Sequence, residues 1–194
     1  MKGSRRMLPQ IDKRKELPNV LNQLNITGHA VEIGVKCGRF AKVITSKWLN
    51  YDSYYLVDCW QEQTDYVDIA NQSNVIQEKY LKSVKNKFRK NDKIKIVRAF
   101  SNEAVKQFED NFFSFIYIDA RHDLAGVTED LTLWYPKLKV GGLFSGHDYV
   151  DGLRTYGQFG VKTAVNNFIK TLPYTPKMNL TKQDYPTWFF IKEK

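Results

Sequence analysis

Apolar runs and helix-period stripes alternate along most of the chain, and their order predicts an α/β domain. Ala30-Val31-Glu32-Ile33-Gly34-Val35, Tyr54-Tyr55-Leu56-Val57-Asp58, Lys93-Ile94-Lys95-Ile96-Val97 and the stretch from Phe113 to Ile118 read as strands. A fifth runs from Leu138 to Phe144, with Gly141-Gly142 near its start. The continuous apolar run before Asp119 suits a parallel strand buried on both faces. Helical stripes fall between the strands. Leu17, Val20, Leu21 and Leu24 share a face before Gly28, and a helix follows Gly38 over residues 39–48. Tyr80, Leu81, Val84 and Phe88 point inward from 75–90, and a short helix covers 102–108. Val127, Leu131 and Trp134 do the same within 124–135, which Pro136 closes. A helix over 161–169 and two strands, near 178–182 and 187–192, finish the chain. Residues 61–73 are polar and aperiodic and read as a loop or lid, and the glycine- and tyrosine-rich segment 150–160 reads as a mobile loop over the site. The first sixteen residues lack periodicity and are expected to form a basic flexible arm, leaving 17–194 as a single three-layer domain with a mostly parallel sheet.

Composition narrows the class. The 194 residues suffice for one well-buried domain and are few for two. No apolar run approaches the roughly 20 residues that span a bilayer, and the basic N-terminus lacks the apolar core of a secretory signal. Cys37 and Cys59 show no metal-type spacing and are expected to be reduced. The default expectation is a cytoplasmic protein without a membrane partner. The net charge of +9 raises nucleic acid as a partner. It is drawn partly from the opening segment (Lys2, Arg5, Arg6, Lys13, Arg14, Lys15) and partly from Lys82, Lys85, Arg89 and Lys93 at helical spacing. No aromatic residues are interleaved there as stacking platforms, so the simpler expectation is a solvated helix face.

The candidate chemistry lies at strand ends. The fourth strand ends in Asp119-Ala120-Arg121-His122-Asp123 and the fifth in Gly146-His147-Asp148-Tyr149. Ligands of open α/β sheets bind beyond the carboxyl ends of the strands, so Asp119, His122, His147 and Asp148 would face one crevice. The first strand leads into a glycine turn and a helix with the spacing E-x-G-x-x-x-G, one residue away from the dinucleotide fingerprint. Gly34 would let backbone approach a ligand and Gly38 would allow close packing at the helix start. Asp58 ends the second strand about 25 residues after Gly34, where nucleoside-binding folds place a carboxylate on the ribose diol. Trp60 would flank an adenine ring, and Glu32 suits a cationic amino acid moiety better than a pyrophosphate.

These motifs carry a resemblance. From about Leu17 onward the chain resembles the class I S-adenosylmethionine-dependent methyltransferases, with Val31 to Gly38 similar to their glycine-rich first motif and Leu56-Val57-Asp58 to their ribose-binding strand end. Tyr117 to Asp123, Glu129-Asp130-Leu131, Trp134 to Leu138, Gly141-Gly142 and Gly146 to Tyr149 more narrowly resemble a subgroup of small-molecule and sugar O-methyltransferases. The resemblance implies a Rossmann-like, seven-stranded sheet with helices on both faces and an antiparallel last strand. It also implies S-adenosylmethionine as methyl donor, held by Glu32, Gly34, Gly38 and Asp58, with Trp60, Ser101 and Asp119 completing the candidate contacts.

Methyl transfer to a hydroxyl needs an aligned oxygen and a destination for its proton, supplied by a base or helped by a metal. Catechol-type O-methyltransferases carry an aspartate after the fourth strand and an Asp-Asn pair after the fifth. The matching positions, Asp119, His147 and Asp148, are the candidate ligands of a divalent cation such as Mg²⁺ or Mn²⁺. An imidazole ligand favours Mn²⁺, Zn²⁺ or Fe²⁺ over Mg²⁺; the alternative is that no metal binds and His147 is a base. His122 falls where the catechol enzymes have a catalytic lysine, and it is the expected general base, with Asp119 as ligand or orienter. Asp123 reads as a helix N-cap, Glu129 and Asp130 as an exposed face with Arg121 paired to either, and Tyr149 and Tyr156 as walls of an acceptor pocket. The expected function is methylation of a small-molecule hydroxyl, first a sugar or glycan and second a phenol. The alternatives are ribose 2′-O-methylation of nucleic acid and a catalytically inactive binding module. The acceptor would be recognised by loops 60–73 and 149–160, and a homo-oligomer is left open.

Overall fold

The computed structural model describes residues 8–155 and 157–194. Seven strands form one sheet: β1 (Gly28–Ile33), β2 (Tyr51–Asp58), β3 (Ile94–Arg98), β4 (Phe113–Ile118), β5 (Leu138–Gly146), then β8 (Asn179–Leu180) and β9 (Trp188–Ile191). Their order across the sheet is β3-β2-β1-β4-β5-β9-β8. The first five are mutually parallel, and β9 runs antiparallel to both β5 and β8. The expected mostly parallel sheet with an antiparallel last strand is therefore what the chain forms.

Among the described residues, six α-helices cover the two faces: α1 (Leu17–Gln23), α2 (Arg39–Lys47), α3 (Asn74–Phe88), α4 (Ser101–Ala104), α5 (Leu124–Trp134) and α6 (Val161–Thr171). Alternation along the strands separates two cores. Tyr54, Leu56, Phe115 and Tyr117 pack with α1, α2 and α3 on one face, and Val57, Ile116 and Ile118 pack with α4, α5 and α6 on the other, while Phe113 joins the second core across an irregularity at the start of β4. No helix among the described residues is long and apolar enough to cross a membrane. Because β2 and β4 lie on opposite sides of β1, the strand order reverses at β1, and the crevice at the carboxyl ends of β1 and β4 is where such sheets bind ligands.

Two segments depart from the expectations. Residues 150–160 are not simply a loop: β6 (Asp151–Arg154) and β7 (Gly157–Gly160) pair as an antiparallel hairpin. Four-residue strands rich in glycine are too short to show a period of two, so the composition reads as a loop. The arm is also anchored. Met1–Met7 lie outside the described residues, but Leu8 and Ile11 are buried in the first core, and Asn179 Nδ2 donates to the carbonyls of Leu8 and Pro9. The backbone N–H of Arg14 donates to Gln183 Oε1 at 2.8 Å. Two isolated apolar residues carry no periodicity, which is why the docking was invisible in the sequence.

Candidate active site

The glycine turn after β1 is built around a backbone contact. Gly34 N–H donates to Val57 O and Asp119 N–H donates to Ile33 O, so the ends of β1, β2 and β4 are tied together. Gly34 has φ +86°, and a Cβ there would sit 2.0 Å from the Asp119 carbonyl oxygen. Its close approach is to the β4 end, and it also lines the cavity. Gly38, at φ +70°, caps α2 and faces Phe88 and Val84 of α3, which matches the expected close packing.

Asp58 stands at the end of β2, but its carboxylate is turned toward the glycine turn. Oδ2 accepts from the N–H groups of Val35 (2.9 Å) and Lys36 (2.8 Å), and Oδ1 accepts from Trp60 N–H (2.8 Å). A carboxylate offers about four lone-pair sites, so three are engaged and the bidentate grip on two ribose hydroxyls expected from the sequence is not open in this arrangement. Burial pushes Asp58 up despite those three donors. Trp60 is fully buried, with Nε1 donating to Lys36 O, and does not border the cavity, which corrects the expectation that it flanks an adenine. Glu32 does border it. It is buried, accepts from Tyr54 Oη at 3.0 Å, and is held well above the usual carboxylate range by burial.

Ser101 also lines the cavity, hydrogen-bonded to Asp130 and accepting from Trp134 Nε1 at 2.7 Å. Asp130 is only 3% exposed, contrary to the expectation of an exposed face. The reason is legible in retrospect: Val127, Asp130, Leu131 and Trp134 form one inward stripe of α5. Burial pushes the Asp130 carboxyl up to about 7, whereas the unfolded chain releases that proton near pH 3.9. Between about pH 4 and pH 7 the native state therefore binds more protons, and this group's contribution to stability falls as pH rises, by about 4 kcal/mol in total. Asp130→Asn retains an acceptor for Ser101 and cannot ionise. Urea denaturation at pH 5 and pH 8 should show the variant gaining on the wild type at the higher pH; an equal gap at both would sink this account.

At the ends of β4 and β5 the expected acids and imidazoles do converge. His122 Nε2 lies 3.0 Å from Asp148 Oδ2 and 3.7 Å from Asp119 Oδ1, while its Nδ1 lies 2.8 Å from Asp68 Oδ2. His147 Nδ1 is 2.7 Å from Asp148 Oδ1 and 3.9 Å from Asp119 Oδ1. Among the described residues, Asp119, His122 and Asp148 are the group whose donor atoms fall within 4.8 Å of one another. His122 thus takes the place expected of His147 in the candidate cation set, while His147 Nδ1 is engaged by Asp148. The free, neutral imidazole expected of a general base at His122 is not what the fold builds. Burial works against its charge, but the carboxylates of Asp119, Asp148 and Asp68 outweigh it and hold the ring protonated well above the ordinary imidazole range. Asp148 in turn is pulled up by burial yet held below the usual carboxylate range by its two imidazole neighbours.

Three further groups were missed in the sequence. Arg14 Nη1 reaches Asp119 Oδ2 at 3.1 Å from the anchored arm. Tyr66 Oη accepts from His122 N–H at 2.9 Å, and Asp68 meets the ring itself. Arg121 pairs with Asp123 rather than with Glu129 or Asp130, and Asp123 caps α5 through Gly126 N–H as expected. Tyr149 Oη donates to Asn166 Oδ1 and does not line the cavity; Tyr156 lies outside the described residues. The cavity has a volume of about 1210 Å³ and is lined from Ser101 and Asp130 past Gly34 to Asp119, His147 and Tyr185, with residues 61–66 and 68–71 also along its wall.

A reversed strand order centred on β1, an antiparallel β9 and a glycine turn over a large crevice define the class I S-adenosylmethionine-dependent methyltransferase fold. A family model described as "Methyltransferase domain" matches residues 31–149, more than half of the chain, and the chain belongs to that family. Similar solved structures include a candidate rRNA methylase from Clostridium thermocellum, with TM-score 0.67, 12% identity, and 96% of this chain and 99% of that chain covered. An O-methyltransferase from Bacillus cereus in complex with S-adenosylhomocysteine gives TM-score 0.62 and 15% identity over 95% of this chain and 84% of that one. Spermidine synthase from Thermotoga maritima gives TM-score 0.61 and 19% identity over 94% of this chain and 61% of that one. No curated protein matched the chain by sequence. At these identities the likeness establishes the fold, and the acceptor must be argued from the site.

Proposed function

We propose that the chain is an S-adenosylmethionine-dependent O-methyltransferase acting on a hydroxyl of a small molecule, with a sugar or glycan as first choice. One observation carries this reading: the acid–imidazole cluster and the glycine turn line the same cavity. Its volume of about 1210 Å³ exceeds the roughly 300–1,000 Å³ common for single small-molecule sites, leaving space for an acceptor beside the donor. Loop residues between Gln61 and Asn71, with Phe159 of β7, form part of its wall.

When bound, S-adenosylmethionine supplies the methyl group. Glu32 lies where the cationic amino acid end belongs, and a neighbouring positive charge would favour its ionised form against the burial that now raises it. Asp58 fixes the N–H groups of Val35 and Lys36 and so shapes the turn against which the nucleoside rests. A divalent cation fits the remaining cluster: two carboxylates and an imidazole converge, and His122 Nε2 is buried without a hydrogen bond of acceptable geometry. Asp119, His122 and Asp148 would hold it, the cation taking the place of the proton on His122 Nε2, and its Lewis acidity would lower the pKa of an acceptor hydroxyl. The nitrogen donor favours Mn²⁺ or Zn²⁺ over Mg²⁺.

His147 is the proton acceptor in this reading. Its Nδ1 lies 2.7 Å from Asp148 Oδ1, and the tautomer with the proton on Nδ1 carries its lone pair on Nε2. Asp148 thus serves both imidazoles, one through each oxygen. The test is incubation with labelled S-adenosylmethionine and a panel of sugars, phenols and short RNAs, with and without EDTA. EDTA-sensitive labelling of a sugar or phenol hydroxyl is the expected result. Labelling of RNA ribose instead, or no binding of the donor, would overturn it.

A further inference from the structure

The loop at residues 61–73 had no readable code, yet it supplies the closest partner of the central imidazole. Asp68 Oδ2 lies 2.8 Å from His122 Nδ1, and the Asp68 side chain is only 2% exposed. Its other oxygen accepts from Ala70 N–H at 2.7 Å, which fixes the carboxylate within its own loop. Two residues earlier, Tyr66 Oη accepts from the backbone N–H of His122. From the opposite side the β6–β7 hairpin clamps the same residue. Phe159 stacks on the His122 ring with centroids 4.8 Å apart and 7° between planes, and Gly160 N–H donates to His122 O. Loop and hairpin are joined by a backbone bridge between Asp68 and Gly157.

We propose that Asp68 is a positioning residue for His122: its carboxylate accepts the Nδ1–H, directs Nε2 at Asp119 and Asp148, and makes assembly of the cation site depend on the loop lying against the hairpin. The proposal rests on the cation reading above and adds to it the element that completes the site. The physical logic is general. A histidine that ligates through one nitrogen is oriented and made more basic by a carboxylate on the other, and removing that partner typically lowers metal affinity 10–100-fold. Here the partner comes from a separate chain segment, so an open loop leaves Asp119, His122 and Asp148 without a fixed imidazole.

The test uses the full chain with Asp68→Ala, Asp68→Glu and Gly157→Ala. The last leaves the carboxylate intact but places a Cβ 2.4 Å from Val67 O, at a glycine with φ +139°, and so displaces the loop. Mn²⁺ affinity, measured by electron paramagnetic resonance, should fall 10–100-fold in Asp68→Ala and in Gly157→Ala, with Asp68→Glu recovering part of it. S-adenosylhomocysteine affinity should stay within about twofold in Asp68→Ala, and the urea midpoint of Gly157→Ala should show that it remains folded. Independently, ¹⁵N NMR of the Zn²⁺-loaded wild type should show a proton on His122 Nδ1 that is lost or exchanges fast in Asp68→Ala. Unchanged Mn²⁺ affinity in Asp68→Ala overturns the proposal, and unchanged affinity in Gly157→Ala overturns its dependence on the loop. If the wild type binds neither ion, it is the cation reading that fails. The same NMR measurement on the metal-free protein then decides Asp68: a Nδ1–H retained in the wild type and lost in the variant upholds it, and its absence from the wild type overturns it.

Discussion

Gly34→Ala should be the most damaging single substitution in the chain for stability, costing about 4 kcal/mol or more. The added Cβ would fall 2.0 Å from the Asp119 carbonyl oxygen, 2.4 Å from its carbonyl carbon and 2.6 Å from Ala120 Cα. All three are backbone atoms of the adjoining β4 end, which is pinned by the bond from Asp119 N–H to Ile33 O, so no side chain can rotate away to relieve the contact. Relief requires separating β1 from β4 at the point where the sheet reverses its order. Gly141→Ala provides the control. Gly141 has φ +82°, close to the +86° of Gly34, but a Cβ there meets nothing within 4 Å. It should therefore cost only about 1 kcal/mol, the conformational part alone. Urea denaturation of the two variants side by side isolates the close approach. If Gly34→Ala were no worse than Gly141→Ala, the backbone contact would not be rigid. A folded remnant of Gly34→Ala should also bind S-adenosylhomocysteine poorly, because Val35 and Lys36, which donate to Asp58, belong to the displaced turn.

Much of this fold was legible because parallel strands buried on both faces must be apolar throughout. The run from Phe113 to Ile118 matches β4 residue for residue, and the helix expected over 124–135 reproduces α5 within one residue. The residues at the ends of those strands were legible as a group for the same reason: polar side chains directly after an apolar strand can only point into the crevice. Their individual roles were not legible. Whether Asp58 faces a ribose or its own neighbouring amides depends on the direction of one carboxylate, and three nearby N–H groups decided it. The partner of His122 Nδ1 is Asp68, fifty-four residues away on an aperiodic loop. Arg14 enters from a segment whose anchoring depends on Leu8 and Ile11, two apolar residues with no periodic company. Long-range partners of this kind leave no local pattern.

Asp148→Asn should be the most damaging substitution for turnover, lowering it by roughly 10²–10⁴-fold while leaving S-adenosylhomocysteine affinity near the wild-type value. Asp148 has φ +54°, a left-handed conformation that asparagine tolerates, so the backbone at the end of β5 is retained. What changes is charge and hydrogen-bonding capacity at both oxygens. The oxygen facing His122 Nε2 loses its negative charge, which weakens the candidate cation set. Toward His147 the amide can present its NH₂ to Nδ1, which draws the lone pair to Nδ1 and places the proton on Nε2, the nitrogen that must accept one. The donor end is untouched, because Asp58 ends β2, Gly34 follows β1 and Ser101 opens α4. The informative comparison is therefore single-turnover methylation against equilibrium binding of S-adenosylhomocysteine. Loss of both together would assign Asp148 a structural role, whereas turnover within threefold of wild type would remove the His147–Asp148 pair from the chemistry altogether. Adding excess Mn²⁺ separates the two functions of the carboxylate. Partial rescue assigns the loss to the cation set, and a loss indifferent to Mn²⁺ assigns it to the proton acceptor.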